Sequence, residues 1–121
     1  MPSRGPLQKR LDYSFKKPEL LELALTHPSV NHEQTKTLSN NQRLEFLGDA
    51  VLQMIISAEL YRQFPTRDEG TLSKARARMV NRDALAEQAM QIKLGKELML
   101  SRGEERNGGR ERASALADVF E

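Results

Sequence analysis

Four carboxylates stand where carboxylates are costly. Glu45 and Asp49 lie four residues apart inside the apolar run from Leu44 to Tyr61, in which twelve of eighteen residues are hydrophobic. Asp118 and Glu121 lie three apart in Leu116-Ala117-Asp118-Val119-Phe120-Glu121. Each spacing puts its two acids on one face of a helix, because successive helical residues turn by about 100°. Glu45 and Asp49 share their line with Leu52 and Ile56. Like charges so placed repel by roughly a few tenths of a kcal/mol even in water. On a covered face they cost far more unless a cation lies between them. Two such helices, antiparallel or crossing, bring together enough oxygen ligands for one or two hard divalent ions. A site of that kind lowers the pKa of a bound water and steadies charge on a phosphoryl group, which is the chemistry of metal-dependent phosphodiester hydrolysis.

Composition narrows the options. The 121 residues make one domain at most, able to bury a modest core. There is no cysteine, which excludes disulfides, thiolate nucleophiles and zinc–sulfur sites. Only His27 and His32 offer imidazole, so Mg²⁺ or Mn²⁺ on oxygen ligands fits better than a histidine site. The start, Met1-Pro2-Ser3-Arg4-Gly5-Pro6, has no apolar leader, and no run approaches about 18 uninterrupted apolar residues. The expectation is a cytoplasmic protein without a membrane partner. Net charge is only +2, but residues 62–82 hold six basic residues against two acidic ones, a local +4 that suits a phosphate backbone.

The elements that position these groups all read as helices. Leu7, Leu11 and Phe15 predict a short amphipathic helix over 6–15. Pro18 starts a second, which ends at His27-Pro28-Ser29 because the residue before proline avoids the helical region. His27 reads more naturally as a hydrogen-bonded structural histidine than as a catalytic one. Residues 30–40 have no periodicity and predict a mobile loop. Ser39-x-x-Gln42 fits a capping box opening the long central helix, which is too apolar for a surface helix and is expected to be covered on most sides. That helix ends near Gln63, followed by a turn over 64–70.

A fourth helix is expected over 71–80, with Leu72, Ala75 and Met79 inward and Lys74 and Arg78 outward. Without further evidence, Lys74 and Arg78 read as a solvated face. Arg76, at the edge of the apolar arc, needs an acidic partner or a phosphate. Asn81 caps a helix running to Ile92, with Ala84, Leu85, Ala89 and Ile92 buried. A short helical piece over 97–100, a glycine-rich loop over 101–110 and a final helix over 112–121 complete an all-α chain.

Gln42-Arg43-Leu44-Glu45-Phe46-Leu47-Gly48-Asp49-Ala50-Val51-Leu52 closely resembles the signature of the ribonuclease III family, departing only at its first position, where the family has glutamate. Ala24-Leu25-Thr26-His27-Pro28-Ser29, Asp68-Glu69-Gly70 and the 116–121 segment match further family landmarks in order, so the likeness spans roughly residues 7–121. It implies an endonuclease-domain helical bundle over residues 1–121, incomplete at its C-terminal end, without the double-stranded-RNA-binding domain that bacterial members carry. It implies a homodimer that cleaves double-stranded RNA with Mg²⁺ (Mn²⁺ substituting), leaves 5′-phosphate and 3′-hydroxyl ends, and processes rRNA and mRNA. By the same resemblance Glu45, Asp49, Asp118 and Glu121 are metal ligands, with Asp49 and Glu121 catalytic. Gln42 and Glu69 are supporting residues, and glutamine at 42 is expected to alter dimerisation or rate but not metal binding. Lys74, Arg76 and Arg78 are RNA-binding candidates. Gly48 suits a close helix crossing. The alternatives are a relative that binds double-stranded RNA or a partner subunit without cutting it, and a helical interaction domain whose acids are merely solvated.

Overall fold

The computed structural model describes residues 4–32 and 40–121. Seven α-helices occur among the described residues: α1 (Gly5–Leu11), α2 (Pro18–Ala24), α3 (Gln42–Gln63), α4 (Glu69–Met79), α5 (Arg82–Gln91), α6 (Arg102–Arg106) and α7 (Ala113–Phe120). Short 3₁₀ turns occupy Pro28–His32, Gly95–Glu97 and Gly109–Glu111. No strand forms among these residues, and a lone parallel bridge joins Thr26 to Met99. The all-α class is therefore as the periodicities predict.

The termini of the helices follow local chemistry. α2 begins on Pro18, whose fixed φ suits the first helical position. α1 stops at Leu11 instead of reaching residue 15, because Asp12 turns into the left-handed region (φ 52°) and its N–H returns to the carbonyls of Gln8 and Lys9. Phe15 nevertheless packs on the core, with Tyr13 edge-on at 4.9 Å between ring centroids. Apolar spacing reports which side chains point inward and is blind to a one-residue backbone reversal between them.

The expected capping box does not fit the observed start of α3, where Asn41 stands as N-cap. Ser39 lies outside the described residues, as does most of the expected 30–40 loop, whose first residues join the Pro28–His32 turn. Gln42 is the first residue of α3, not its third, and its N–H donates to Asn40 Oδ1 at 2.9 Å. The expected loop over 101–110 contains α6, because Ser101 acts as N-cap and its hydroxyl accepts the Glu104 N–H at 3.1 Å. The expected helical piece over 97–100 is displaced to Gly95–Glu97, and Leu98 is extended.

The core is not where the apolar run suggests. Leu7, Leu21, Leu25, Ala86, Ala89, Leu94 and Leu116 form one buried cluster, from α1, α2, α5, the segment after it, and α7. The most extensive helix pair is α5 with α7. α3 lies beside this core and is not covered on most sides: among its residues only Gly48 and Leu60 are buried. Phe46 is 82 % exposed, Tyr61 77 % and Met54 66 %. α7 covers α3 near Gly48 and α4 covers it near Ser57, so two short helices leave the remaining sides of a 22-residue helix bare.

Three segments meet at the Thr26-His27-Pro28-Ser29 motif. The Asn41 N–H donates to Thr26 O (2.9 Å) and Asn41 Nδ2 to Ala24 O (3.2 Å), which fastens the start of α3 to the end of α2. The Met99 N–H donates to Leu25 O (2.9 Å) and the His27 N–H to Met99 O (3.0 Å). Ser29 Oγ accepts the Ser101 N–H at 3.0 Å. This junction sets the level at which α3 enters the fold, and with it the height of Glu45 one turn later.

Candidate metal centre

α3 and α7 cross where α3 carries glycine. A Cβ built on Gly48 would overlap the backbone carbonyl of Glu121 and stand 3.3 Å from its Cα. No other residue type allows this approach without moving backbone, so the expectation of a close crossing at Gly48 is met. The crossing faces the two acidic pairs toward each other. One carboxylate oxygen each from Glu45, Asp118 and Glu121 lie within 4.8 Å of one another, all three residues half-buried. Asp49 is exposed and lies outside this triad, though its carboxyl still acts on Glu121.

The electrostatics are those of acids forced together. Burial and then the Asp49 carboxyl, with smaller contributions from Glu45 and Asp118, push Glu121 from 4.5 up to about 7. Burial, then Asp118 and Asp49, raises Glu45 as well. Burial raises Asp118, with Arg82 and then His27 pulling the other way. Three mutually repelling, partly desolvated carboxyls with hard oxygen donors fit a divalent cation, whose charge removes the repulsion that raises their pKa values.

The other residues singled out in the sequence are placed elsewhere. His27 is structural in geometry: its Nδ1 accepts the Ser29 N–H at 3.0 Å and lies 2.8 Å from Ser29 Oγ, while burial lowers its pKa. The side chain of His32 is not described. Gln42 is exposed at the start of α3, outside the triad. Glu69, first residue of α4, accepts the Ser73 hydroxyl at 2.7 Å and lines a separate small cavity of about 230 Å³ with Ser57, Tyr61 and Arg76. Arg76 Nη1 donates to Ser57 Oγ at 2.9 Å, so the partner expected to be an acid or a phosphate is a hydroxyl of α3. Lys74 and Arg78 are exposed on α4, as predicted, whereas Met79 is 47 % exposed and not an inner-face residue.

Arg82, one member of the basic run, received no individual role from sequence yet is the leading positive influence on Asp118. That influence follows from the packing of α5 along α7, which spacing within either helix does not encode.

Comparison with known proteins agrees with this arrangement. A family model described as ribonuclease-III-like matches residues 17–121. Ribonuclease 3 of Desulforamulus reducens is 54 % identical over 116 residues, covering 95 % of this chain and 47 % of that protein. Ribonuclease 3 of Aliarcobacter butzleri is 49 % identical over 121 residues, covering all of this chain and 52 % of that protein. A solved nuclease domain of ribonuclease III from Campylobacter jejuni, described for structural flexibility in a region involved in dimer formation, superposes with a TM-score of 0.90. It is 42 % identical, and the match covers 98 % of this chain and 79 % of that one. Fold and acid cluster together define the class, an all-helical nuclease-type domain. Within it, the chain belongs to the ribonuclease III family, and it spans about half the length of the curated relatives it matches.

Proposed function

We propose that this chain is the catalytic part of an endoribonuclease that hydrolyses double-stranded RNA with Mg²⁺, or Mn²⁺ in its place, giving 5′-phosphate and 3′-hydroxyl ends, with rRNA and mRNA precursors as its natural substrates. The observation that carries this reading is the meeting of Glu45, Asp118 and Glu121 across the Gly48 crossing. When bound there, a divalent cation supplies water activation and charge neutralisation at the phosphoryl group. The chain's own groups do the rest. Glu45 and Asp118 present oxygens from opposite helices, Glu121 closes the triad, and Asp49 orients Glu121 from the open side. The exposed Lys74 and Arg78 on α4 receive the phosphate backbone away from the acids, while Arg76 is committed to Ser57. Asp49→Asn is expected to slow cleavage of long double-stranded RNA in Mg²⁺ by roughly 10- to 100-fold, as loss of a group that orients a ligand does. Measured single-turnover rates that match for the two proteins, or a native chain that leaves the RNA intact, would overturn the reading.

The bare side of α3 supports self-association. Phe46, Ala50, Met54 and Tyr61 recur at helical spacing along it, and isolated soluble domains rarely leave so continuous an apolar stripe uncovered. Two antiparallel copies of α3 about a twofold axis near its middle set Phe46 against the partner's Tyr61, a self-complementary contact. Gln42 and Glu69 lie at the starts of α3 and α4 and form the polar rim of this face. Phe46→Glu is expected to shift the sedimentation coefficient from dimer to monomer at micromolar concentration. An unchanged dimer would remove this stripe from the interface.

A further inference from the structure

Asn41 stands at the N-cap of α3, yet its side chain does not cap that helix. An asparagine in this place ordinarily turns back to accept an N–H of its own first turn. Here it faces the preceding helix instead. Its Nδ2 donates to the carbonyl of Ala24, the last residue of α2, at 3.2 Å. The Asn41 N–H ties to the same end of α2, donating to Thr26 O at 2.9 Å. Asn40 supplies the side-chain bond that Asn41 forgoes, its Oδ1 accepting the Gln42 N–H at 2.9 Å. Asn41 is 3 % exposed, deeper than the other buried polar residues described, Ser29 and Ser101. A helix start whose amide is turned away to another helix gives up local stability for a fixed position.

What that position fixes is Glu45. The bond that opens α3 runs from the Glu45 N–H to Asn41 O at 2.8 Å, so the residue fastened to α2 is also the one from which Glu45 is hung. Residues 42–47 are all exposed or half-buried, and the next buried position along α3 is Gly48. Glu45 thus lies between two constraints, four residues after Asn41 and three before Gly48. Asn41, Glu45, Asp118 and Glu121 line one cavity of about 480 Å³. Gly48 permits the close approach of α7 but offers no side chain to stop α3 from sliding or turning beneath it. A slip of one residue moves a helical side chain by about 1.5 Å along the axis and about 100° around it, enough to take Glu45 out of the triad. Asp118 and Glu121 are held independently, on the helix that packs against α5.

We propose that Asn41 is a positioning residue for the metal centre, holding the first turn of α3 at the height and rotation that bring the Glu45 carboxylate to Asp118 and Glu121. The inference rests on the metal-site reading above. Asn41 acts through Glu45, so its effect on a cation depends on Glu45 being present.

The test is a double-mutant cycle read by calorimetric titration of Mn²⁺ without RNA, with far-ultraviolet circular dichroism on the same samples. Asn41→Ser and Asn41→Thr keep side chains that cap helices well, but their hydroxyl is one bond shorter than the amide and falls short of Ala24 O. Each is expected to weaken Mn²⁺ affinity by about tenfold with helix content unchanged, as loss of a group that orients a ligand does. In a Glu45→Gln chain the same substitutions are expected to change the affinity by less than about twofold, because the ligand they misplace is already gone. Native affinity in both Asn41 variants would overturn the proposal. So would an equal loss with and without Glu45, or loss of native helix content in both variants, since each marks Asn41 as serving the fold and not Glu45. Those outcomes leave the metal-site reading standing, whereas a native chain that binds no Mn²⁺ would bring down both.

Discussion

Glu121→Gln is expected to weaken Mn²⁺ binding by more than about 100-fold, beyond what losing a mere supporting partner of a ligand costs, and to stop metal-dependent cleavage with it. It is also expected to remove most of a pH dependence of stability from the cation-free protein. The sign follows from the direction of the shift. Glu121 stands at about 7 in the folded chain, above its ordinary 4.5. Between those values the folded state holds a proton that the unfolded state releases, so stability falls as pH rises through the window. Glu45 and Asp118, both raised mainly by burial, act in the same sense. The Glu121 side chain keeps much of its solvent contact, so its part is discounted to about 1 kcal/mol, or roughly 4 °C in Tm. In EDTA the native Tm should decline from pH 5 to pH 8, and Glu121→Gln should flatten most of that decline. Mn²⁺ should raise the native Tm strongly at pH 8 and hardly at pH 5, where protons already occupy the carboxyls. Thermal melts in which Glu121→Gln keeps the native pH profile would separate this residue from the cluster.

Gly48→Ala is expected to be the most damaging single-methyl addition in the chain. The new Cβ would occupy space held by the main-chain carbonyl of Glu121, just past the end of α7, so that backbone must move. α7 must then retreat from α3. Overpacking of this kind costs about 1–3 kcal/mol. The loss at the site should be larger than the loss of fold, because retreat of α7 carries Asp118 and Glu121 away from Glu45 together. Mn²⁺ affinity should fall at least about tenfold, in line with loss of ligand geometry. The α5–α7 core should keep helix content near native. Calorimetric titration and far-ultraviolet circular dichroism on the same sample distinguish these effects. Native Mn²⁺ affinity in Gly48→Ala would show that the helices do not need their close approach.

Much of the local structure is legible in residue order because its causes are local. Pro18 opens a helix with a φ it already has, and Asn81 caps one with its own side chain. Where local signals compete, order alone misleads. Ser101 followed by a glycine-rich stretch reads as a loop, yet the serine hydroxyl starts α6 there. Asp12 ends α1 by a backbone reversal that no hydrophobic spacing records.

The acidic pairs show the division between sequence and tertiary structure most clearly. Sequence by itself determined that Glu45 shares a face with Asp49, and Asp118 with Glu121, because helical periodicity is a property of one segment. The signature around Glu45 and the order of its companion motifs also determined the family. Only the tertiary structure decided that Glu45, Asp118 and Glu121 form the inner triad with Asp49 outside it, since that depends on how closely α7 can approach Gly48. It alone set α5 along α7, so that Arg82 is the leading positive influence on Asp118. It also reversed the reading of the long apolar helix. A run of hydrophobic residues states that a surface must be covered, but not by what. Here α4 and α7 cover part of α3, and Phe46, Met54 and Tyr61 remain open.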